Sequence, residues 1–285
     1  MNYRHAYHAG NAADVTKHAV LALLLERLKE KPAAFMVLDT HAGIGRYDLD
    51  GTEARKTGEA DSGIRRVIAA PGLPAEAAPY LEAVRAMNAV QGDPESGALR
   101  IYPGSPRLTR ALMRPQDRLI LAELHPDDAE TLRQEFRADR QVAVHHMDGW
   151  LSLKAHLPPK TEKRGLVLID PPFEATDEYD RLVQGLRLAH GRWPTGIYAL
   201  WYPIKERATI WRFHQGLEES GIPKILAAEL IWHPEDRHDR LNGCGMILVN
   251  PPWRIDLQLQ TLLPALHAAL GAEAGGAHVD WIAPE

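Results

Sequence analysis

Cysteine is almost absent from this chain of 285 residues, and Cys244 is its one example. A single thiol can form no internal disulfide and no thiolate metal cluster, so we expect neither, and no bound metal, in a protein of a reducing compartment. Long apolar runs are missing too: the longest early one, residues 19–25, is far too short to span a bilayer. No early segment has the pattern of a secretory signal. These absences predict a cytoplasmic protein that does not contact a membrane.

The chain also lacks an excess of positive charge. The chain has 33 Lys and Arg against 38 Asp and Glu, a net charge of −5. Proteins that bind nucleic acid are more often basic, so this balance counts against such a role. The N-terminal stretch, where Arg4 and Lys17 lie among histidines, still offers a local patch for phosphate. The hydrophobic fraction of 45% and the length are ordinary for one large α/β domain, or for one with an inserted lobe.

Short apolar runs that end in a polar residue or a turn predict seven strands, at 34–39, 118–123, 142–148, 166–170, 196–203, 224–232 and 245–250. Amphipathic segments at 126–139, 176–190 and 205–221 predict helices between them. This alternation predicts a mostly parallel, doubly wound sheet. The connection between the last two strands is too short and polar for a crossover helix, so we expect a long hairpin and an antiparallel final strand. The pattern is that of the Rossmann-like, seven-stranded sheet of class I methyltransferases.

Two further segments complete the predicted organisation. Asn11 or Asp14 is expected to cap a helix that runs to about Lys29. The connection after the first strand is far longer than the roughly 20–30 residues that usually separate neighbouring strands in such a fold. Its excess, residues 48–98, contains two helix-like pieces and predicts a small inserted helical lobe. Residues 1–47 and 99–285 would then form the main domain with its N-terminal arm.

The first predicted strand ends at Asp39 and is followed by Gly43 and Gly45. A Gly-x-Gly turn lets the backbone approach a ligand closely. A dinucleotide fingerprint needs a third glycine three positions after Gly45, where the chain has Asp48. This departure argues against a nicotinamide enzyme and favours an adenosyl ligand. Taken alone, the motif is equally compatible with a helix-entry turn of no function.

Acidic side chains also end the next three predicted strands: Glu123, Asp148 (followed by Gly149) and Asp170. The carboxyl ends of parallel strands meet at one edge, where open α/β sheets bind ligands. We expect Glu123 to accept hydrogen bonds from ribose hydroxyls and Asp148 to accept them from an adenine amino group. Any one of these acids is more often a turn or a helix cap. Four in order predict a binding site for an adenosyl group.

The strand at 166–170 continues into the tetrapeptide Asp170-Pro171-Pro172-Phe173. The amine of adenine is a poor nucleophile because its lone pair is conjugated with the ring, so a catalyst must hold both N–H bonds with acceptors. Asp170 and the Pro171 carbonyl can supply those acceptors, and the prolines keep them in place. Phe173 offers an apolar face on which a flipped base can stack. The pattern predicts methyl transfer to an extruded adenine; the simpler alternative is a strand stop.

A second tetrapeptide, Asn250-Pro251-Pro252-Trp253, fits the same amine-methylating pattern. It follows the last predicted strand, which we expect to be antiparallel. Its carboxyl end would then lie at the opposite edge of the sheet from the Gly-x-Gly turn. We therefore interpret this tetrapeptide as a structural strand stop before the helix of residues 255–270.

Eight stretches carry a resemblance to a known family: YRHAYHAGNAADVTKH, LDTHAGIGRY, YPGSP, LHPDD, LIDPPF, YALWYP, GMILVNPPW and WIAPE. Along nearly its whole length the chain resembles the RlmJ family of 23S rRNA (adenine(2030)-N6)-methyltransferases. YRHAYHAGN followed by LDTHAG is highly specific, whereas DPPF is shared by many amino methyltransferases. The resemblance implies S-adenosylmethionine as cofactor and 23S ribosomal RNA as partner. We expect the chain to act as a monomer.

The resemblance also implies roles for individual residues. With Gly43, the expected donor-binding residues are His18, His41, Ser105, Glu123, Asp148, Gly149 and Asp170. Asp170 matches the catalytic acid, and Pro171 and Phe173 complete its tetrapeptide. Tyr3, His5 and Lys17 match positions linked to the substrate adenosine or to activity, so the N-terminal arm is expected to fold over the target base. The family commonly has Tyr where Phe173 stands; Phe keeps the stacking face and lacks the hydroxyl. Ser105 is alternatively a helix N-cap.

Two rival functions remain open at this point. Glutamine-N5 methyltransferases of proteins also use an Asx-Pro-Pro-aromatic tetrapeptide, but usually with Asn first, where this chain has Asp170. A non-catalytic RNA-binding protein on a methyltransferase scaffold is the other rival. It predicts a degraded donor pocket, whereas the strand-end acids and the Gly-x-Gly turn are all present.

Overall fold

The structure, a computed structural model, describes residues 5–91, 99–234, 240–272 and 274–284. Its strands are β1 (Met36–Asp39), β2 (Arg46–Asp48), β3 (Ile101–Pro103), β4 (Arg118–Glu123), β5 (Val142–His146), β6 (Gly165–Ile169), β7 (Ile197–Ile204), β8 (Ile225–Ile231), β9 (Gly243–Val249) and β10 (Gly276–Ala283). Its α-helices are α1 (Ala12–Lys29), α2 (Thr52–Thr57), α3 (Glu59–Ser62), α4 (Ile64–Ala69), α5 (Ala78–Gln91), α6 (Ser105–Leu112), α7 (Pro126–Phe136), α8 (Gly149–His156), α9 (Glu178–Arg192), α10 (Arg207–Glu218) and α11 (Ile255–Ala269). Short 3-10 helices occupy His5–Tyr7 and Ala75–Ala77.

Eight strands form the main sheet in the order β10-β8-β9-β7-β6-β1-β4-β5. Strands β5, β4, β1, β6 and β7 are parallel, and β9 is antiparallel to both β7 and β8. The mostly parallel α/β sheet and the antiparallel hairpin are therefore confirmed. All seven apolar runs form strands, because a strand buried on both faces reads as a continuous apolar run.

The prediction of seven strands is wrong by one, and a small second sheet was missed. Strand β10 lies at the edge of the sheet and pairs with β8 alone. Its side chains are a mixture of partly buried and exposed ones, so it has no apolar run that would predict a strand. Strands β2 and β3 pair with each other and have three residues each, which is too short for a periodic signal.

Helix α1 lies in the interior, against one face of the sheet. Asn11 is its N-cap and accepts a hydrogen bond from the Asp14 amide at 2.9 Å, so Asn11 rather than Asp14 is the cap. Leu21, Leu24 and Leu25 have no exposed surface. Apolar as this helix is, none of the helices among the described residues is long and apolar enough to cross a membrane.

Helices cover both faces of the sheet. Side chains of α1, α5, α6 and α11 share one hydrophobic cluster, and those of α8, α9 and α10 share the other. Tyr80 and Val84 of α5, within the segment predicted as an inserted lobe, belong to the same cluster as the leucines of α1. The helices of this segment therefore pack into the main core, and its treatment as a separate unit at 48–98 stays a prediction.

The strand order places a topological switch point between β1 and β6. From β1 the chain continues outward to β4 and β5 on one side, and it then returns to β6 on the other side. Connections leave such a point in opposite directions, which opens a crevice at the carboxyl ends of the strands. The ends of β1, β4 and β6 carry Asp39, Glu123 and Asp170, so the fold brings three of the four predicted acids to this crevice.

The second tetrapeptide lies at the other edge, as predicted. Asn250 follows antiparallel β9, and its side-chain amide donates to the carbonyls of Pro194 and Gly196, at 2.7 and 2.8 Å, where β7 begins. Asn250 adopts a left-handed backbone conformation with φ of 51°. Its side chain therefore fastens a strained turn and is turned away from the crevice.

Replacing Asn250 with Ala tests this structural role. The change removes two hydrogen bonds and puts a residue without a compensating side chain in a left-handed conformation, so the free energy of unfolding should fall by about 2–3 kcal/mol. Urea unfolding measures this loss. An unchanged free energy of unfolding would contradict the assignment.

Candidate active site

A cavity of about 490 Å³ opens at the crevice between the ends of β1, β4 and β6. Ten of the predicted site residues line it: His5, Lys17, His18, His41, Gly43, Ser105, Glu123, Asp170, Pro171 and Phe173. Asp148 and Gly149 lie just behind this lining, and Tyr3 lies outside the described residues. The volume is that of a small-molecule site.

The tip of β6 is joined to helix α1 by a charged contact. The Lys17 ammonium lies 2.6 Å from Oδ2 of Asp170 and 3.0 Å from Oδ1 of Asp14. Lys17 is 5% exposed, so its charge is held between two carboxylates and away from solvent. No other described residue hydrogen-bonds to the side chain of Asp170, and this residue borders the cavity.

Asp14 holds the N-terminal arm in place. Its Oδ2 accepts hydrogen bonds from His5 Nε2 and from the Gly10 amide, both at 2.9 Å. Burial raises the pKa of Asp14, but His5 and Lys17 together lower it more, so the pKa lies well below its usual range. A carboxylate at this position thus orders both His5 and Lys17. The sequence gives only a weak signal for it, because an acid at the start of a helix usually faces solvent.

The backbone of the tetrapeptide is rigid and strained. Two prolines fix φ, and Phe173 adopts a left-handed conformation with φ of 51°, which costs on the order of 1–2 kcal/mol for a residue with a Cβ. The Phe173 ring meets Tyr179 and Trp201 edge to face, with centroids 4.9 and 5.7 Å away. These contacts hold the Phe173 ring at the wall of the cavity.

The Gly-x-Gly turn that follows β1 is hydrogen-bonded to Glu123, the acid at the end of β4. Gly43 and Gly45 have φ of 63° and 87°, which a side chain would disfavour. The Gly43 amide donates to Oε2 of Glu123 at 2.8 Å, and the His125 amide donates to Oε1 at 2.8 Å. Burial raises the pKa of Glu123 above its ordinary value, and the hydrogen bonds from these two amides offset only part of the rise. The carboxylate is thus positioned by backbone donors and still borders the cavity.

Asp39 supports the site from beneath the cavity lining. It is buried, and the Ser105 hydroxyl donates to its Oδ2 at 2.6 Å. Burial raises the pKa of Asp39 to about 6, and the hydrogen bond from Ser105 opposes that rise. The alternative reading of Ser105 as a helix N-cap is wrong, because the N-cap of α6 is Gly104 and Ser105 is the first helical residue.

His41, Asp148 and Gly149 form a tightly packed corner. Burial lowers the pKa of His41 to about 4, and its ring lies edge to face with Trp150 at 5.7 Å. Asp148 caps α8 by accepting from the Leu151 amide at 3.0 Å. A Cβ on Gly149 would come within 2.3 Å of the Thr40 carbonyl oxygen. In the structure Asp148 caps α8, and Gly149 leaves room for the loop that follows β1. The role of both residues in donor binding stays a prediction.

Sequence reasoning missed three lining residues from one region. Trp201 and Pro203 of β7, and Lys205 just after it, border the cavity beside the tetrapeptide. The stretch YALWYP predicts a strand and carries part of the family resemblance, but neither assigns a role to any of its side chains. A strand buried on both faces gives no periodicity from which to decide which side chains reach a ligand.

Comparison with known proteins decides the family. The family model described as ribosomal RNA large subunit methyltransferase D, RlmJ, matches residues 32–283. The chain belongs to this family. It is 47% identical to ribosomal RNA large subunit methyltransferase J of Escherichia coli strain K12 and 45% identical to the protein of that name from Haemophilus influenzae, in each case over the full length of both chains.

Membership in the family confirms the resemblance and identifies the chain as an enzyme of a methyltransferase family. A crystal structure of a protein from Legionella pneumophila strain Philadelphia 1 superimposes with a TM-score of 0.86 at 34% identity, covering 96% of this chain and 98% of that one. The fold is therefore shared across nearly the whole length, including the segment between β1 and β4.

Replacing Gly149 with Ala tests the packing of the corner behind the cavity. The added Cβ would lie 2.3 Å from the Thr40 carbonyl oxygen and 2.8 Å from Cε1 of His41, so the loop after β1 must move. We expect donor affinity to fall at least tenfold, measured by calorimetric titration with S-adenosylhomocysteine. Gly191→Ala is the matched control, because a Cβ there meets nothing within 4 Å. Equal affinities in both variants would refute the assignment.

The raised pKa of Asp39 predicts a pH-dependent stability. Because the folded protein favours the protonated acid, this contribution is present below the ordinary pKa of 3.8 and is lost as pH rises through about 6. Asp39→Asn lacks the titration. The stability of the wild type relative to this variant should fall by on the order of 2–3 kcal/mol between pH 4 and pH 8, measured by urea unfolding. Parallel pH profiles would show that Asp39 does not titrate in this range.

Proposed function

We propose that the enzyme transfers a methyl group from S-adenosylmethionine to the N6 amine of one adenine in 23S ribosomal RNA, after the base has flipped out of its helix. The observation that carries this proposal is the position of Asp170: it ends β6 at the cavity, is held by Lys17, and begins a rigid Asp-Pro-Pro-Phe turn. The names of the relatives from Escherichia coli and Haemophilus influenzae support ribosomal RNA of the large subunit as substrate.

The residues around the cavity fit an adenosyl donor. Glu123 presents a carboxylate that can accept from two ribose hydroxyls, next to the Gly43 amide that orders it. His18 is buried and His41 is half-buried, and their pKa values of about 3 and about 4 keep both rings neutral at pH 7. They can therefore provide hydrogen bonds without adding cationic charge beside a sulfonium. When bound, S-adenosylmethionine supplies an electrophilic methyl group.

Asp170 would act by orienting the target amine. With Oδ2 engaged by Lys17, Oδ1 is available to accept one N–H of adenine, and the Pro171 carbonyl accepts the other. Holding both hydrogens lets the nitrogen lone pair leave conjugation with the ring and point at the methyl carbon. The catalytic contribution is then positioning by preorganised acceptors, and Phe173 holds the base by stacking.

The proton released after transfer needs no strong base. The methylated amine is a cationic ammonium that is acidic enough to lose its proton to water, and Asp170 is the nearest carboxylate. Lys17 keeps that carboxylate oriented throughout, and His5 and Asp14 keep Lys17 in place. The arm that precedes α1 therefore belongs to the catalytic machinery in this proposal, with Tyr3 as its outermost member.

The proposed substrate also bears on place and assembly. Ribosomal RNA is met in the cytoplasm, and we propose that the enzyme acts there, as a monomer. The rival glutamine-N5 activity would need a protein substrate, whereas the names of the full-length relatives refer to ribosomal RNA.

Replacing Asp170 with Asn should reduce the single-turnover rate of methyl transfer to protein-free 23S RNA by at least a hundredfold. An amide carries one acceptor and one donor, and the donor cannot pair with an N–H of adenine. The melting temperature should stay within a few degrees of the wild-type value, and the rate is measured with donor labelled in its methyl group.

Asp177→Asn is the matched control, since Asp177 is an exposed carboxylate on the loop that follows the tetrapeptide. It should retain the wild-type rate. Retention of a tenth of the rate in Asp170→Asn would remove Asp170 from the catalytic role. Label entering release factor instead of RNA would support the glutamine rival.

A further inference from the structure

One buried polar atom at the cavity has no partner in the protein. His18 is 1% exposed and lines the cavity, and its Nε2 makes no hydrogen bond to any described residue. An unpaired buried polar atom is unfavourable, so its presence at a binding cavity points to a ligand atom that pairs with it. Which kind of ligand atom depends on whether Nε2 carries a hydrogen.

The other ring nitrogen of His18 ends a chain of buried hydroxyls. His18 Nδ1 lies 2.7 Å from the Tyr102 hydroxyl, which lies 2.9 Å from the Tyr80 hydroxyl. Both tyrosines are fully buried, and burial raises the pKa of each above its ordinary value, so both keep their protons. Tyr80 comes from α5 and Tyr102 from β3, so the chain runs from the segment between β1 and β4 to the cavity.

Hydrogen-bond satisfaction fixes the direction of this chain. Within the described part of the structure, the Tyr80 hydroxyl has the Tyr102 hydroxyl as its one hydrogen-bond partner. If Tyr80 donates to Tyr102 and Tyr102 donates to His18 Nδ1, every O–H is bonded. In the reverse direction the Tyr80 hydrogen would be buried with no acceptor. A hydroxyl has one donor and two lone pairs, so an unused lone pair is the smaller loss.

This direction determines the tautomer of His18. Nδ1 accepts from Tyr102, so it carries no hydrogen, and the single hydrogen of the neutral ring must be on Nε2. Asp14, Lys17 and His5 are the charged and titratable groups that act on the ring, and burial outweighs them in lowering the pKa of His18 to about 3. His18 is therefore a neutral N–H donor that faces the cavity.

We propose that Tyr80 and Tyr102 are positioning residues that hold His18, an expected donor-binding residue, as the Nε2–H tautomer. In this proposal the Nε2–H group donates to the carboxylate at the amino-acid end of the methyl donor. The assignment rests on the proposed function for the identity of that donor. Glu123 suits the ribose hydroxyls, and Asp148 is the residue expected beside the adenine at the end of β5. The sulfonium and the ammonium are cations, which do not accept a hydrogen bond from an N–H group. The segment between β1 and β4 thus reaches the site through Tyr80.

The tautomer is tested without any ligand. Long-range ¹H–¹⁵N correlation spectra of protein labelled on histidine nitrogens distinguish a protonated from a bare ring nitrogen, and His18→Gln assigns the signals. We expect a protonated Nε2 and a bare Nδ1 at pH 7, and no change down to pH 5. A protonated Nδ1 in the free protein would overturn the proposal even if the enzyme methylates RNA as proposed.

The contact is tested by binding of two probes. S-adenosylhomocysteine has the amino-acid end, and 5′-methylthioadenosine lacks it. In Tyr102→Phe, His18 loses the group that orients it, so affinity for S-adenosylhomocysteine should fall about three- to tenfold while affinity for methylthioadenosine stays within twofold. The rate at saturating donor should change little. Tyr80→Phe should follow the same pattern with a smaller loss, because Tyr102 can still donate to His18.

Tyr198→Phe is the control for the loss of a buried hydroxyl, since Tyr198 donates to the carbonyls of Ala189 and Trp193 on the other face of the sheet. It should destabilise the protein without changing either affinity. Equal losses for both probes in Tyr102→Phe, or unchanged affinity for both, would overturn the assigned contact. Failure of the wild type to bind either probe would instead refute the proposed donor and leave the tautomer result standing.

Discussion

The contact between Lys17 and Asp170 is the constraint on which the site depends. It joins the first helix to the tip of β6 across 153 positions of sequence, and Lys17 also pairs with Asp14, which holds the arm through His5. A buried cation shared by two carboxylates contributes little net stability, because desolvation offsets the attraction. Removing it would leave Asp170 without its partner, whereas Asp14 would keep the hydrogen bonds from His5 and the Gly10 amide. Its value is geometric. One ammonium fixes both the side chain at the tip of β6 and, through Asp14 and His5, the segment that precedes α1.

Local chemistry alone does not make a site, as the two Asx-Pro-Pro-aromatic turns show. Both contain a residue in the left-handed conformation, Phe173 in one and Asn250 in the other. The first follows a parallel strand at the switch point and borders a cavity, whereas the second follows an antiparallel strand and fastens the start of β7. The direction of the preceding strand separates the turn that borders the cavity from the structural one, since it decides at which edge of the sheet the turn lies.

Much of the fold can be predicted from sequence because most strands of its sheet are buried apolar runs. The seven runs and the antiparallel final pair follow from local pattern, whereas the choice between Asn11 and Asp14 as helix cap needs the structure. Strand β10 does not, since an edge strand with mixed exposure lacks an apolar run. The approach of Lys17 to Asp170 and of Tyr80 to His18 could not be derived either, because they depend on how elements distant in sequence pack. The family resemblance indicates roles for Lys17, His18 and Asp170, but it indicates none for Asp14, Tyr102 or Tyr80.

The central claim is that a preorganised acceptor at the tip of β6 directs a methyl group to the amine of one adenine. The most direct measurement is the identity and position of the labelled nucleoside after wild-type enzyme and methyl-labelled donor act on 23S RNA from cells lacking the protein. The account predicts N6-methyladenosine at a single position. Label on a ribose, on another base or atom, or spread over many adenines would contradict it.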